Sequence, residues 1–584
     1  MQTDTLSPSG GFARVTPPHR LRTYLPLFAI LVLGFALRVL WLDRQSLWYD
    51  ELFTVWVSRL PLRELFPAVA ADSQTPWLPY VLLHWWPGLW GNDFALRMYS
   101  VLPGTLAIAA LWRLARTFMG VAQANLAALL LATSPFLISR SQEVRGYTWY
   151  LLFTLLACYF FLRLATGSRW ARIGYAVTLP LVLLTHFYGV FLVVAHAVTW
   201  RRTPELRPLR LWPVVASVSV GLLVWWTVIV VASAGFSVPA RPIPQQTVGV
   251  GRPTSGWSSV VQETQSLLKQ APSSIPVVGL LTGGSKEPAP VEKPATQWKR
   301  LSTRSPFEVA SQATLGGEFA AGVDARPPWW TLMGIVYLAL ALGTAALAWR
   351  RREFWMILMW ALIPFVAILI IDRLTAMGFE ARYVIAVVPF LFLLIAMGAE
   401  RRWVRWLIGV SLVTMQLIGL YSYYHSPADA RDDWRSMVAY LQGVEQPGDG
   451  LFAFPAHHYA MAAAVYAPDL PEGGGWVWPD GRVLLLPKDA KWRGYGMRLA
   501  ATSTDETREQ LLSMACSYKR LWVVTYASRV DGDPTQVMQD LSDSMTLMST
   551  KEFNGPKGLR LRLYEGCPAS QSQGSVAGEK AVGP

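Results

Sequence analysis

The sequence predicts an α-helical polytopic membrane protein with about eleven transmembrane helices, short helices lying in the membrane interface, and a small C-terminal soluble α/β domain. Three observations carry this. The 584-residue chain is 53% hydrophobic and only 15% charged, with 28 tryptophans and a mean hydropathy of +0.30, too apolar for a soluble protein of this length. Long apolar runs recur along it, and arginines collect at alternate connections between them.

The runs cover roughly Tyr24 to Trp41, Ala95 to Leu114, Ala124 to Ile138, Thr148 to Leu164, Ile173 to Thr185, Tyr188 to Thr199 and Leu211 to Ala232. Others follow at Trp330 to Ala348, Phe354 to Ile371, Tyr383 to Met397 and Trp406 to Tyr421. Several fall short of the ~20 residues that a perpendicular helix needs. An odd count puts the termini on opposite sides. The net charge of +14 would suggest nucleic acid as the partner of a soluble chain, but here its location matters more, and no nucleic acid is expected. Arg20 and Arg22, Arg113 and Arg116, Arg163 to Arg172, Arg201 to Arg210, Arg350 to Arg352 and Arg401 to Arg405 fall on one side of an eleven-span chain. By the positive-inside rule that side is the cytoplasm, so the segment after the opening span and the C-terminal region lie outside. The opening run is long and lacks a small-residue cleavage site, so it reads as a retained span.

Residues 1–23 read as a cytoplasmic tail, 24–425 as the membrane domain, 428–566 as a periplasmic α/β domain and 567–584 as a disordered tail. The external loop 42–94 is Trp-rich and interrupted by prolines in "ELFTVWVSRLPLRELF" and "PWLPYVLLHWWPGLW", which suits juxtamembrane helices. The loop 233–328 is rich in Gly, Pro, Ser and Gln and reads equally as a lid or as disorder. In the C-terminal part "DWRSMVAYLQ", "DETREQLLSMA" and "DPTQVMQDLS" predict helices, and "GLFAF", "RLWVVTYA" and "LRLRLYEG" predict strands. Cys516 and Cys567 are the one pair expected in a single oxidising compartment; paired and unpaired states stay equally open.

"SLWYDELFT" places Asp50 and Glu51 side by side at the outer end of the first span. They are either an acidic pair marking the membrane edge or a base able to meet both a lipid headgroup and a water-soluble acceptor. Other polar groups collect on that side. "SQEVRGY" supplies Gln142, Glu143, Arg145 and Tyr147 in a loop too short to need charges for solvation alone; His84, His186, Tyr188, Arg382 and Tyr383 sit at further outer ends. Each alone reads as an anchor or snorkelling residue. Away from their ends the spans are read as free of ionisable residues, which counts against an ion-coupled transporter. Outside the cytoplasm an activated donor has to arrive in the membrane, and a lipid phosphate fits. Arginines suit its leaving phosphate, and a carboxylate suits the attacking hydroxyl.

In this order, "LWYDELFT", "TPWLPYVLLHWW", "ALRMYSVLPGTLAIAALWRLAR", "SPFLISRSQEVRGYTWYLL", "THFYGVFLVVAH", "ARYVIAVVPFLFLLIA" and "DWRSMVAYL" resemble family 39 glycosyltransferases of the GT-C superfamily, which includes protein O-mannosyltransferases and aminoarabinose lipid A transferases. The resemblance implies a GT-C fold in the bacterial cytoplasmic membrane. It also implies an inverting transfer from a polyprenyl-phosphate sugar to a lipid, polysaccharide or protein acceptor on the outer face. It assigns Asp50 as base with Glu51 in support, and matches Gln142, Glu143 and Arg145 to the family's second external motif and Arg382 with Tyr383 to its late one. "TPWLPY" departs from the Thr-Pro-Pro of many relatives. Two adjacent carboxylates could hold Mg²⁺ or Mn²⁺, but hard cations want several oxygen ligands and the rest are not evident, so no metal is expected. Alternatives are a lipid-linked oligosaccharide ligase or polymerase, a glycolipid flippase or transporter, and an inactive membrane scaffold.

Overall fold

The computed structural model describes residues 20–72, 76–203, 328–375, 381–425, 431–446, 449–454, 456–467, 518–526, 535–555 and 558–566. In chain order the elements are α1 (Arg20–Val39), α2 (Tyr49–Arg59), α3 (Leu62–Asp72), α4 (Leu78–His84), α5 (Asp93–Ala115), α6 (Val121–Thr133), α7 (Pro135–Ser141), α8 (Tyr147–Arg163), α9 (Arg169–Thr185) and α10 (Gly189–Arg202). After the next described residue come α11 (Pro328–Ala346), α12 (Arg352–Thr375), α13 (Val388–Gly398), α14 (Arg402–His425), α15 (Trp434–Val444), β1 (Gly450–Phe454), α16 (Ala456–Tyr466), β2 (Arg520–Thr525), α17 (Thr535–Ser544), β3 (Thr546–Glu552) and β4 (Arg560–Glu565). They form two compact units: one from the described residues of 1–44, 85–222 and 296–429, the other from those of 45–84 and 430–584.

The first unit is a helix bundle. Among the described residues α5, α8, α12 and α14 are long and apolar enough to cross a membrane, and the bent pair α6–α7 makes a fifth. The apolar run expected as one span from Ala124 breaks here by 58°. Pro135 lacks the N–H that would continue α6, and Ser134 caps α7 by accepting from the Leu137 N–H. The carbonyls freed at the break are met by side chains. Arg38, fully buried, donates to Leu131 O, Ala132 O and the Ser141 hydroxyl, and Gln416 donates to Leu130 O. Such re-satisfaction is what lets a broken helix persist in an apolar medium.

One expectation fails inside this bundle. His196 lies in the middle of α10, buried, with its two ring nitrogens 3.1 Å from the Tyr175 hydroxyl and 3.5 Å from the Cys158 sulfur. It stacks on Phe161 at 4.2 Å. A single histidine bonded at both nitrogens among aromatics is a satisfied core group, which is how it escapes the cost of burial. The expected seventh span, the loop 233–328, the helix at "DETREQLLSMA" and both Cys516 and Cys567 lie outside the described residues, as do the two tails save for Arg20 to Thr23 in α1.

In the second unit β1, β2, β4 and β3 form a sheet in that order, with β1 parallel to β2 and the other pairs antiparallel. Leu521, Val523, Leu541, Met545 and Tyr564 pack beneath it. The strands expected at "GLFAF", "RLWVVTYA" and "LRLRLYEG" are present, and so are α15 and α17. β3 was not anticipated: "TLMSTKE" is exposed at every position, so no buried face imposes an alternation to read. The same unit takes in α2, α3 and α4. The Leu47 N–H donates to the Tyr466 hydroxyl at 2.7 Å, and Arg59 donates to the Ala464 and Val465 carbonyls at the end of α16.

Candidate active site

The candidate residues divide between the units, and each group is a construction of its own unit. In the second, α2 begins where the Trp48 N–H donates to Glu51 Oε2 at 3.2 Å, satisfying an amide that the helix start leaves over. Acids in a first turn also favour the helix dipole. The same oxygen accepts from Arg431 at 2.6 Å in an ion pair whose side chains are 4% and 0% exposed. Asp50 is 1% exposed. Its neighbour Tyr49 packs at 4.1 Å on His458, which in turn lies 4.8 Å from Tyr526 and stacks with Trp434. The helix carrying the acids is thereby fixed by residues of the C-terminal segment. His84, at the end of α4, has Nδ1 2.8 Å from the Ser58 carbonyl; the ring N–H donates, so Nδ1 carries the proton.

In the first unit the 3₁₀ turn Ala381–Val384 presents Arg382 and Tyr383, and the connections around α8 and between α9 and α10 present the rest. Tyr188 meets Tyr383 edge-on at 5.5 Å and His186 at 5.0 Å. Tyr150 stacks on His186 at 4.9 Å, and Tyr147 lies 6.4 Å from it. The Arg145 guanidinium sits 5.8 Å from the Tyr147 ring, while its backbone carbonyl accepts from the Ser100 hydroxyl at 3.0 Å. Burial, joined by the nearby Arg145 and Arg382 charges, pushes His186 down to about 3. The imidazole is therefore neutral at working pH. Its Nδ1 accepts from the Tyr188 N–H at 3.3 Å, which leaves the proton on Nε2.

Arg145, Tyr147, His186, Tyr188, Arg382 and Tyr383 thus form one cluster, two cations framed by a neutral imidazole and phenols. Gln142 and Glu143 make other contacts. The Gln142 amide donates to Arg38 O, Leu40 O and the Tyr424 hydroxyl, and Glu143 pairs with Arg140 at 3.0 Å, with side chains 0% and 1% exposed. They hold the loop in which Arg145 sits. Arg431, Arg38, Arg140 and Tyr150 escaped the reading from sequence. Tyr150 lies one helical turn beyond Tyr147, a legible signal, whereas Glu51 and Arg431 are 380 residues apart with no spacing rule to join them. Among the described residues no group of three or more His, Cys, Asp or Glu side chains is arranged to hold a metal ion. With Glu51 Oε2 committed to Arg431, the acidic pair fits such an ion poorly.

The chain superposes on the crystal structure of ArnT from Cupriavidus metallidurans bound to undecaprenyl phosphate with a TM-score of 0.53 at 12% identity, over 94% of this chain and 98% of that one. At that identity the likeness shows a shared fold. The apo state of that ArnT gives a TM-score of 0.49 at 12% identity, over 93% and 97% of the two chains. Archaeal oligosaccharyltransferase AglB from Archaeoglobus fulgidus, in complex with an inhibitory peptide and a dolichol-phosphate, gives 0.42 at 12% identity, over 86% and 70%. A family model described as dolichyl-phosphate-mannose-protein mannosyltransferase matches residues 88–233, the stretch that holds Arg145, His186 and Tyr188. No curated protein matches the chain by sequence. The resemblance read from the motifs is borne out for the GT-C fold; the expected count of about eleven spans stays an expectation.

Proposed function

We propose that the chain is an integral membrane glycosyltransferase that moves a sugar from a polyprenyl-phosphate donor to an acceptor hydroxyl on the outer face of the membrane. The observation that carries this reading is the paired-arginine cluster of the helix bundle, in a fold shared with a protein that binds undecaprenyl phosphate. Asp50 takes the proton of the acceptor hydroxyl. The freed oxygen attacks the anomeric carbon, the bond from that carbon to the phosphate oxygen breaks, and its electron pair leaves with the polyprenyl phosphate. A single displacement inverts the anomeric configuration. Arg145 and Arg382 neutralise the charge that develops on the departing phosphate, while the neutral His186 and the phenols of Tyr188 and Tyr383 supply hydrogen bonds without adding charge. Glu51 acts through Arg431 to hold the helix that carries the base.

The test is the Asp50→Asn variant, purified and given a polyprenyl-phosphate sugar and an acceptor extract in detergent. Release of free polyprenyl phosphate falls by about 10²–10⁴-fold, the range for loss of a general base, while the variant elutes and melts like the parent. Wild-type turnover in that variant removes Asp50 from the mechanism. Release in detergent also separates an enzyme from a flippase, which does nothing without two compartments.

A further inference from the structure

The motif cluster occupies one end of α13, just after the Arg382–Tyr383 turn. The other end, about 16 Å away at the helical rise, carries a second concentration of charge. There Gly398 lies against the Thr344 carbonyl so closely that no Cβ fits, which brings the turn after α11 beside the turn after α13. Arg405 ties the start of α14 to the end of α13 by donating to the Ala399 and Glu400 carbonyls at 3.3 and 3.0 Å. The two adjoining turns hold Arg350, Arg351, Arg352, Arg401 and Arg402 against Glu353 and Glu400. Two long helices, α12 and α14, also begin there, and their first amides attract anions.

Within this cluster one Nη of Arg351 is shielded from solvent and has no acceptor among the described residues. The Arg351 side chain as a whole is half-buried, and an unmet donor among this many cations favours an anionic oxygen at this end of the bundle. Along α14 the surface changes character in order: a groove lined by Arg402 and Trp403, then Trp406 and Leu407, then Val410 and Ser411. Trp403, Trp406, Leu407 and Val410 are exposed. That sequence of cation, indole and aliphatic side chain matches a phospholipid read from phosphate through glycerol to acyl chain, which a soluble phosphate does not.

We propose that this end of the bundle binds an anionic phospholipid, with Arg351 and Arg402 meeting its phosphate and Trp403, Trp406, Leu407 and Val410 bedding its glycerol and acyl chains. The site lies apart from the motif cluster and stands whether or not the reading of Asp50 holds. Full-length protein in detergent is titrated with phosphatidylglycerol or phosphatidylcholine and followed by native mass spectrometry. Phosphatidylglycerol binds more tightly, and Arg351→Gln and Arg402→Gln each weaken it about fivefold with phosphatidylcholine unchanged. Arg402 is exposed, so its variant keeps the bundle folded and the test intact. Equal binding of the two lipids overturns the proposal, as does an Arg402→Gln variant that binds phosphatidylglycerol like the parent. Displacement of the lipid by millimolar inorganic phosphate or glycerol phosphate assigns the cluster to a soluble anion and overturns it too.

Discussion

The acidic and the cationic halves of the candidate chemistry are built in different ways. Arg145, Tyr147 and Tyr150 come from one loop and the helix after it, and His186 and Tyr188 from one short connection, so much of the cationic cluster is local, with Arg382 and Tyr383 joining it from a later turn. Glu51 instead depends on a guanidinium 380 residues further along. A carboxylate wholly out of water needs a paired charge, and here Arg431 supplies it from far along the chain. The difference teaches that the C-terminal segment is part of what sets the acid helix, beyond any role its sheet has of its own.

Removing Arg431 tests that dependence most severely. Arg431→Ala leaves Glu51 buried without its 2.6 Å partner and costs about 3–5 kcal/mol of stability, the toll of breaking a buried pair, read by chemical denaturation of the purified protein. Arg431→Lys keeps the charge and loses less. Equal stability of the alanine variant and the parent would dissolve the contrast between the halves. On the cationic side, Arg145→Ala and Arg382→Ala lower turnover by about 10²–10³-fold, the scale for removing one donor to developing negative charge, with little change in melting temperature. A drop in stability as large as that of Arg431→Ala would instead make them structural.

Gln142→Leu sharpens the comparison inside the first unit. Its amide nitrogen serves three acceptors, so the loss is about 1–3 kcal/mol, the range for leaving buried polar groups unmet, seen as a lower melting temperature with donor binding retained. The last effect is in pH. His186 falls to about 3 in the fold from an ordinary value of 6.5. Between those values the unfolded chain binds a proton that the native one does not, so stability declines as pH falls from about 6.5 toward 3. His186→Gln makes that decline shallower, measured as melting temperature against pH beside the parent.

Much of the bundle was legible because apolar runs report burial in lipid directly, and α1, α5, α8, α12 and α14 lie where the runs predict. The α6–α7 break was not read, although Ser134 and Pro135 encode it, because a proline in an apolar run is as compatible with a mild kink as with a 58° bend. The break is settled by Arg38 and Gln416 reaching its carbonyls from other helices. Of the candidate site, the cluster around His186 was anticipated as a set of outer-end residues, but its internal order, with Tyr150 stacked and Gln142 turned to backbone carbonyls, was not.

By itself the sequence determined that this chain lives in a membrane, where its helices run and which polar residues stand at their ends, since hydrophobicity, helix period and proline chemistry act over a few residues. Tertiary structure alone decided that Glu51 answers to Arg431, that His186 stays neutral between two arginines, and that Gly398 seats against Thr344. Those outcomes depend on which surfaces exclude water together, and that is a property of packed elements rather than of any stretch of chain.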